Sequence, residues 1–331
     1  MSQRWPWPIP FGWFCLGWSH DLVTEQVVAR RAFGRELVLW RDADGDAHVH
    51  DAYCPHLGAH LGVGGVVVGC EIACPFHAWQ FDADGRNTLI PYSERTNGKA
   101  RLQPYPVVER NGLLMVWYHP AGEPPKWEVP EVPEFADPAF SSPMCRQFEI
   151  AAPWQEMAEN GVDSAHFRYV HRTAEVPVLE RYDTDGHRSI MRSKQFFVTP
   201  RGNTEGRIDS DGHGPGFSVV RFGGIVDTVL LGCATPIERD RCEMRFTFTV
   251  RRFADDALTS SVGEAFVNEV SRQLLEDKPI WENKTFVERP ALADTDGPFL
   301  QFRQWAAQFY VDPADSTATT PRDTSGRPVA R

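Results

Sequence analysis

Short apolar runs separated by turn signals fill the first third of the chain. Residues 36–40 and 113–117 are two such runs. Pairs that favour tight hairpins separate the runs along this region. They are Asp44-Gly45, Asp84-Gly85 and Asn111-Gly112. We therefore predict that residues 1–118 form a small all-β domain.

A proline-rich stretch follows this domain. Residues 119–143 contain seven prolines, including the adjacent pair Pro124-Pro125. Proline has no backbone N–H and disrupts both helix interiors and central strands. The stretch is therefore predicted to be an extended connector, and we place a domain boundary there.

The rest of the chain combines helical and strand patterns. Residues 154–172 carry apolar side chains at three- and four-residue steps, which predicts a helix, whereas residues 188–252 are rich in strand-forming runs. Together they predict an α+β chain, in which an all-β domain precedes a helix-on-antiparallel-sheet domain over residues 144–312. Residues 313–331 are rich in Ser, Thr, Asp and Pro, and we expect them to be a mobile tail.

A second, longer helix is predicted over residues 261–286. Pro279 should kink it or break one of its turns, because proline cannot continue the backbone hydrogen bonds. The pattern predicts an apolar face formed by Val262, Phe266, Val270, Leu274 and Ile280.

Composition and charge narrow the possible partners. The 331 residues carry a formal net charge of −11, which argues against binding to nucleic acid or to an anionic membrane. No run of eighteen apolar residues is present, so we expect no membrane span. The N-terminus lacks a charged stretch followed by an apolar run, so no signal peptide is expected.

Two short clusters supply the first candidate chemistry. Cys54 and His56 form a Cys-x-His motif, and seventeen residues later Cys74 and His77 form Cys-x-x-His. Two thiolates and two imidazoles on paired loops are the ligand set of a Rieske 2Fe–2S cluster. His60 follows His56 by four residues, and we expect it to lie outside the ligand set.

Zinc is the alternative metal for these clusters, because Cys and His also bind zinc. Zinc fingers usually pair Cys with Cys and His with His, which this spacing does not do. The seven cysteines show no disulfide framework, and Cys54 and Cys74 must be thiolates to hold iron. A reducing cytoplasm is therefore the expected location.

A glycine-rich run, residues 62–69, superficially resembles a nucleotide-binding loop. It lies between the two Cys/His clusters and does not open a helix, so the dinucleotide context fails. We expect the chain to bind no nicotinamide cofactor itself, and NADH to act only through a reductase.

A second candidate metal site has the pattern Asp-x-x-His-x4-His, formed by Asp163, His166 and His171. Residues three apart share a helix face, so Asp163 and His166 should be neighbours. His171 requires a helix end or a distortion to converge with His166. Two His and one carboxylate form the facial triad of non-haem Fe(II) oxygenases. Ordinary half-buried histidines are the alternative.

The third ligand should be a carboxylate distant in sequence. Asp277, in the pair Glu276-Asp277 of the late helix, is the best candidate. Acidic residues on helices are usually only solvated, so the spacing alone leaves this choice open.

Together these motifs resemble the catalytic α subunit of Rieske non-haem iron oxygenases. The resemblance implies a 2Fe–2S cluster, a mononuclear Fe(II), O2 as co-substrate and a ferredoxin-type reductase as partner. It implies that Asp163 bridges His77 to His166 across a subunit boundary in a head-to-tail homotrimer. Asp163 could otherwise be a plain polar residue of a helix. Asn160 is expected to tune the hydrogen bonds of Asp163 or to approach the iron, although a surface amide is nearly as plausible.

A narrower resemblance, carried by the segment from Asn160 to His171, by Ile280-Trp281 and by residues 303–312, is to 3-ketosteroid 9α-hydroxylase oxygenase components. In that branch the Asp before the Ile-Trp pair ligates the mononuclear iron, which favours Asp277. The stretch 155–161 is closer to sterol 7-desaturases. The resemblance therefore implies a terminal oxygenase that hydroxylates a hydrophobic, steroid-like substrate.

Other functions remain open at this stage. Ring desaturation of a sterol is the first alternative, and oxygenation of another hydrophobic ring compound is the second. A Rieske electron carrier without chemistry of its own is a different class, and it would have no second iron site.

Overall fold

A computed structural model describes residues 4–199, 202–224 and 226–311. The predicted tail, residues 313–331, lies outside the described residues. No helix in these ranges is long and apolar enough to cross a membrane.

The N-terminal region is built from short antiparallel strands, as its alternating runs and turn pairs predict. The strands are β1 (Gly12–Trp18), β2 (Val27–Ala32), β3 (Arg35–Arg41), β4 (Ala47–Asp51), β5 (Val66–Val68), β6 (Glu71–Ala73), β7 (Gln80–Phe81), β8 (Asn87–Leu89), β9 (Pro104–Tyr105), β10 (Val107–Arg110) and β11 (Leu113–Tyr118). They form sheets in the orders β2-β3-β4-β9, β5-β6-β7-β8 and β1-β11-β10. The second of these small sheets carries the Cys/His loops.

The predicted connector contains one short 3-10 turn, Pro133–Phe135, between β11 and the next strand. The chain then forms β12 (Met144–Ile150), α1 (Trp154–Ala158), α2 (Ala165–Tyr169), β13 (Val178–Asp185), β14 (Arg188–Thr199), β15 (Gly202–His213), β16 (Phe217–Gly223), β17 (Thr228–Glu238), β18 (Arg241–Val250), α3 (Asp256–Asn283) and α4 (Phe299–Ala307). Its strands form one antiparallel sheet in the order β12-β18-β17-β16-β15-β14-β13. The predicted fold class, an all-β domain followed by helices on an antiparallel sheet, is confirmed.

The prediction of one helix over residues 154–172 is wrong in that the segment is not continuous. The segment is divided into α1, a 3-10 turn at Glu159–Val162, and α2, and Asp163 between them is extended (φ −98°, ψ 94°). Asn160 and Gly161 fall at the break, and both are poorer helix formers than Ala or Leu. Asp163 therefore precedes α2 instead of sharing a helix face with His166.

Helix α3 also differs from its predicted face. The residues it buries are Thr259, Gly263, Val267, Ser271, Leu274, Asp277 and Trp281. Of the predicted face only Leu274 is fully buried, and Ile280 is 47% exposed. Small and hydroxylated residues take the contact face because the helix lies close to the sheet. A Cβ on Gly263 would come within 2.9 Å of Met144 Cε. Pro279 lies inside α3 and does not end it, since the helix continues to Asn283.

Residues 4–11 pack against the end of α3 and against residues 309–310. The guanidinium of Arg4 donates from Nε to the carbonyl of Lys284 (2.7 Å) and from Nη2 to that of Trp281, at the C-terminus of α3. A cation there satisfies carbonyls that the helix leaves unpaired. The backbone N–H of Phe11 donates to the carbonyl of Phe309 (2.9 Å), and Trp7 stacks on Tyr310. Arg4 thus supports the end of the helix that carries Asp277.

Candidate metal centres

Cys54 and His56 lie on the loop between β4 and β5, and Cys74 and His77 lie on the loop between β6 and β7. The two loops share one hydrogen-bond pattern. Cys54 N–H donates to Ala59 O (2.8 Å), and Cys74 N–H donates to Trp79 O (2.9 Å). Each loop therefore holds its Cys and His in a similar local geometry.

The four side chains form a compact group. Both thiols are buried, and the imidazole centroids of His56 and His77 are 4.7 Å apart. The Nδ1 atom of His77 is buried and has no hydrogen-bond partner among the described residues. Burial raises the pKa of Cys54 to about 11, so metal binding there must displace a proton. Two buried thiols beside an unpartnered imidazole nitrogen fit a 2Fe–2S cluster held by two Cys and two His.

Trp79 shields this group. Its ring stacks on His56 with centroids 4.3 Å apart and planes 6° apart, and its Nε1 donates to the hydroxyl of Tyr92 (2.8 Å). His60 is engaged elsewhere, since its Nδ1 accepts the backbone N–H of Gly62 (3.1 Å). The structure therefore keeps His60 apart from the four, as expected.

The second candidate centre forms where α2 ends. His166 lies on α2, which ends at Tyr169, and the chain reverses through Arg172 in the left-handed region (φ 60°). The rings of His166 and His171 come within 5.1 Å. The structure thus contains the helix end that convergence of the two imidazoles requires.

Helix α3 brings the carboxylate of Asp277 to the same point. Donor atoms of His166, His171 and Asp277 all lie within 4.8 Å of one another. Asp277 Oδ2 is 3.3 Å from His171 Nε2. Two imidazoles and one carboxylate at this separation fit a facial-triad iron site with open positions.

Asp163 contacts His166 in two ways. Its backbone carbonyl accepts a hydrogen bond from His166 Nδ1 (2.5 Å), and its Oδ1 accepts the backbone N–H of His166 (3.2 Å). Burial alone would raise the pKa of Asp163, but the hydrogen bonds and charge of His166 outweigh it and lower the pKa. Asp163 therefore fixes the ring of His166 while part of its carboxylate stays open to solvent.

Asn160 also points into this centre. Its Oδ1 accepts the indole N–H of Trp281 (3.2 Å), which orients the amide nitrogen toward His166 Nε2 (3.5 Å). Of the three expectations for Asn160, this geometry fits an approach to the metal position; among the described residues its side chain makes no hydrogen bond to Asp163, and it is not a surface amide.

Sequence reasoning passed over Glu276 as a functional residue. Its carboxylate lies 3.1 Å from Nδ1 of His171, on the opposite side of the ring from Asp277. Burial opposes protonation of His171, but Asp277 and Glu276 together raise its pKa. The adjacent carboxyl pair in the sequence was the available signal.

Buried ion pairs hold the segment that precedes Asp163. Glu159 receives two hydrogen bonds from Arg303 on α4, Nε to Oε1 at 2.7 Å and Nη2 to Oε2 at 3.1 Å. Glu156 pairs with Lys284 at 2.5 Å. Both carboxylates are almost fully buried, so losing either partner would leave a costly unpaired charge.

Gly297 makes the closest contact with this segment. A Cβ at this position would lie 1.6 Å from the carbonyl oxygen of Val162, directly before Asp163. We predict that Gly297→Ala displaces Asp163 and His166, lowers stability by about 1–3 kcal/mol and reduces mononuclear iron binding. Thermal unfolding and iron analysis measure both effects.

Gly161→Ala is the matched control for this prediction. Gly161 lies in the same segment, and a Cβ added there would meet no atom within 4 Å. Equal behaviour of the two variants would contradict the role assigned to Gly297.

An apolar cavity of about 330 Å³ adjoins the second centre. His166, His171 and Asp277 lie at one side, and the large sheet forms the floor. One row of small residues crosses the floor, with Ser189 opposite Gly212, Gly212 opposite Ser218, and Ser218 opposite Gly232. Bulkier side chains flank this row, among them Met191, Val220, Leu230 and Phe246. The row therefore forms a shallow trough in the floor, and it carries the hydroxyl groups of Ser189 and Ser218.

Comparison with known protein families assigns both halves of the chain. Residues 12–106 match the Rieske [2Fe-2S] domain, and residues 116–310 match the 3-ketosteroid 9alpha-hydroxylase C-terminal domain. The second match alone covers more than half of the sequence.

Curated relatives extend over nearly the whole chain. A 3-ketosteroid-9-alpha-monooxygenase oxygenase component of Rhodococcus rhodochrous is 33% identical, covering 92% of this chain and 81% of the relative. One from Mycolicibacterium smegmatis is 33% identical over 92% and 84%. Cholesterol 7-desaturase of Caenorhabditis elegans is 31% identical over 92% and 77%.

Solved structures support the fold. Dicamba monooxygenase bound to dicamba superposes with a TM-score of 0.76 at 19% identity, covering 92% of this chain and 98% of that one. At this identity the likeness concerns the fold alone.

Proposed function

This chain belongs to the Rieske oxygenases that carry a 3-ketosteroid 9α-hydroxylase C-terminal domain, and from this membership we propose its reaction. It is the oxygenase component of a monooxygenase that hydroxylates a steroid-like substrate with O2. The observation that carries the proposal is the group of His166, His171 and Asp277 beside an apolar cavity.

The proposed ligands follow from the two groups of side chains. Cys54, His56, Cys74 and His77 would hold the 2Fe–2S cluster, and His166, His171 and Asp277 would hold Fe(II). When bound, the cluster supplies one-electron storage and the Fe(II) supplies O2 activation. An electron carrier would not need the second group, so family and geometry both favour an enzyme.

The chain's own residues prepare the reaction site. Asn160 directs its amide N–H groups toward the metal position, where they can donate hydrogen bonds. The apolar walls of the cavity keep bulk water away from the substrate. Buried polar groups at one end of the cavity orient the substrate. Asp163 and Glu276 fix the rings of His166 and His171 from outside the site.

The trough on the sheet supports a flat, polycyclic substrate. Gly212 and Gly232 leave room for ring carbons, and the hydroxyl of Ser189 can donate a hydrogen bond to a ketone or alcohol oxygen, whereas that of Ser218 donates to the carbonyl of Gly232 (3.3 Å). A 3-ketosteroid combines these features. The names of the relatives point to the same class of substrate.

We predict that Gly232→Val narrows the trough and selectively impairs large ring substrates. A Cβ on Gly232 would come within 2.8 Å of Ser218 Oγ, and the added methyl groups would occupy the space for the substrate. KM for a ketosteroid should rise at least about 10-fold, since one methylene in a pocket costs about that much.

Gly223→Val is the control for this prediction. Gly223 lies on the neighbouring strand β16, and no atom lies within 4 Å of its Cβ position. An unchanged KM in the Gly232 variant would show that the substrate does not lie in the trough.

A screen of ketosteroids and sterols with NADH and a surrogate ferredoxin-type reductase tests the reaction. Mass spectrometry should find products heavier by one oxygen atom. Consumption of none of these compounds, by enzyme loaded with both metals, would contradict a steroid-like substrate.

Ring desaturation is the second candidate, favoured by the similarity to cholesterol 7-desaturase. It begins with the same removal of hydrogen from a C–H bond. A product lighter by two hydrogens in the same screen would select desaturation over hydroxylation.

Electron delivery is proposed to cross between subunits of a homotrimer. Nδ1 of His77 faces the cluster position, which leaves Nε2 for Asp163 of a neighbouring subunit. Exposed apolar side chains near both residues support such contacts, with Phe76 59% and Tyr169 78% exposed. A fully active monomer in light scattering would refute the trimer.

Two further expectations are part of the proposal. A reducing cytoplasm suits Cys54 and Cys74, and all seven cysteines of the chain are free in the structure. The division at residues 119–143 stays a prediction, and the two family matches change from one domain to the other slightly earlier, between residues 106 and 116.

A further inference from the structure

The carboxylate of Glu276 contacts the side of His171 that faces away from the metal position. Glu276 Oε2 lies 3.1 Å from His171 Nδ1, while Asp277 Oδ2 lies 3.3 Å from Nε2 of the same ring. Consecutive helix residues point about 100° apart, so the pair can reach opposite edges of one imidazole. Both nitrogens of His171 therefore face a carboxylate from α3.

A network on the outer face of α3 holds Glu276 in this position. Arg272 donates from Nη1 to Oε1 of Glu276, which leaves Oε2 for His171. The remaining donors of Arg272, Nε and Nη2, bind the two carboxylate oxygens of Glu269 at 2.9 Å and 2.6 Å. Glu269, Arg272 and Glu276 are spaced by three and four residues, so they share one helix face.

The burial of the imidazole distinguishes this contact from an ordinary surface ion pair. Exposed pairs such as Arg272–Glu269 contribute little to stability. The side chain of His171, by contrast, is only 2% exposed, so few waters can satisfy its Nδ1. In the described part of the chain, Glu276 is the partner of that nitrogen.

We infer that Glu276 is a positioning residue, which keeps the proton of His171 on Nδ1 and directs the lone pair of Nε2 to the metal. The outer partner of a ligating histidine commonly fixes its tautomer and ring orientation in this way. The inference rests on the proposed function only in taking His171 as a ligand of the mononuclear iron.

The test compares Glu276→Ala and Glu276→Gln with Glu269→Gln as control. The control removes the charge and one acceptor oxygen of Glu269, which binds Arg272, but it removes no contact of His171. Each variant, with its cluster intact, is depleted of mononuclear iron by a chelator and titrated with ferrous iron. Glu276→Ala should bind ferrous iron about 10- to 100-fold more weakly than the wild type, as is typical for loss of an outer partner.

A spectroscopic measurement separates positioning from general support. The electron paramagnetic resonance spectrum of the ferrous nitric oxide complex reports the symmetry of the ligand field. We expect an altered rhombicity in Glu276→Ala, partial recovery in Glu276→Gln, whose amide oxygen can still accept from Nδ1, and a wild-type spectrum in Glu269→Gln.

His171→Ala makes the outcomes separable. If His171→Ala loses iron while Glu276→Ala keeps wild-type affinity and spectrum, the inference is overturned and the metal centre stands. If His171→Ala also keeps its iron, the inference about Glu276 and the proposed metal centre are both wrong. Neither measurement requires a substrate, so they do not depend on the steroid assignment.

Discussion

Replacement of His171 by Ala is expected to remove the mononuclear iron and abolish product formation, while the cluster remains. His171 is a buried imidazole that shares one point with His166 and Asp277, and the metal loses one of three protein ligands without it. Loss of an outer partner alone costs about 10- to 100-fold. Turnover of the variant should therefore fall below about 1% of wild type.

Iron analysis and spectroscopy check this expectation together. Iron content should fall from about three to about two atoms per chain, because the cluster contributes two. The visible absorption of the cluster should be unchanged, because its proposed ligands lie on loops that do not include His171. These ligands are Cys54, His56, Cys74 and His77. Full turnover in the His171 variant would refute the oxygenase centre proposed here.

His60→Ala is a useful companion variant. His60 lies four residues after His56, but its ring binds the backbone of Gly62 and stays outside the ligand group. Both metal contents should be retained. Loss of the cluster from this variant would mean that the ligand set at the first centre is wrong.

Replacement of Asp163 by Asn is expected to preserve both metals and yet slow electron delivery about 10- to 100-fold. Asparagine keeps the backbone carbonyl that accepts from His166 Nδ1, and its side-chain oxygen can still accept from His166 N–H. What it loses is the negative charge that faces the proposed subunit boundary. The effect should therefore appear in transfer between the centres and not in metal binding.

Stopped-flow oxidation of the pre-reduced cluster, with substrate and O2 present, measures this transfer directly. Ser164→Ala is the control, because Ser164 is adjacent and its side chain makes no capping hydrogen bond to α2. Wild-type reoxidation rates in Asp163→Asn would show that Asp163 does not deliver electrons and only stabilises the start of α2.

The sequence allows the first centre to be proposed because its chemistry is local. Four ligands within twenty-four residues, Cys54 to His77, define two loops of fixed spacing, and tight turns are encoded by neighbouring residues. The second centre depends on tertiary structure. His166 and His171 suggest it, but their convergence requires the reversal at Arg172, which no local periodicity encodes.

Helix α3 shows why other features of the structure could not be predicted from the sequence. Hydropathy favours Val262 and Phe266 for the contact face, yet close packing against Met144 selects Gly263 and its neighbours. Because α3 turns its Gly263 face toward the sheet, Asp277 is buried and Glu276 contacts His171. The trough likewise depends on the register of four strands, which places Ser189, Gly212, Ser218 and Gly232 in one row.

The contact between Arg4 and the end of α3 has a consequence for how the chain matures during translation. Domains generally fold from the N-terminus as the ribosome releases them, so the Cys/His loops are complete within the first 118 residues. The last turn of α3 gains its Arg4 contact only after Lys284 has emerged. Cluster insertion can therefore precede iron loading at the second centre, and Arg4 gains its contact with α3 only when that helix is complete.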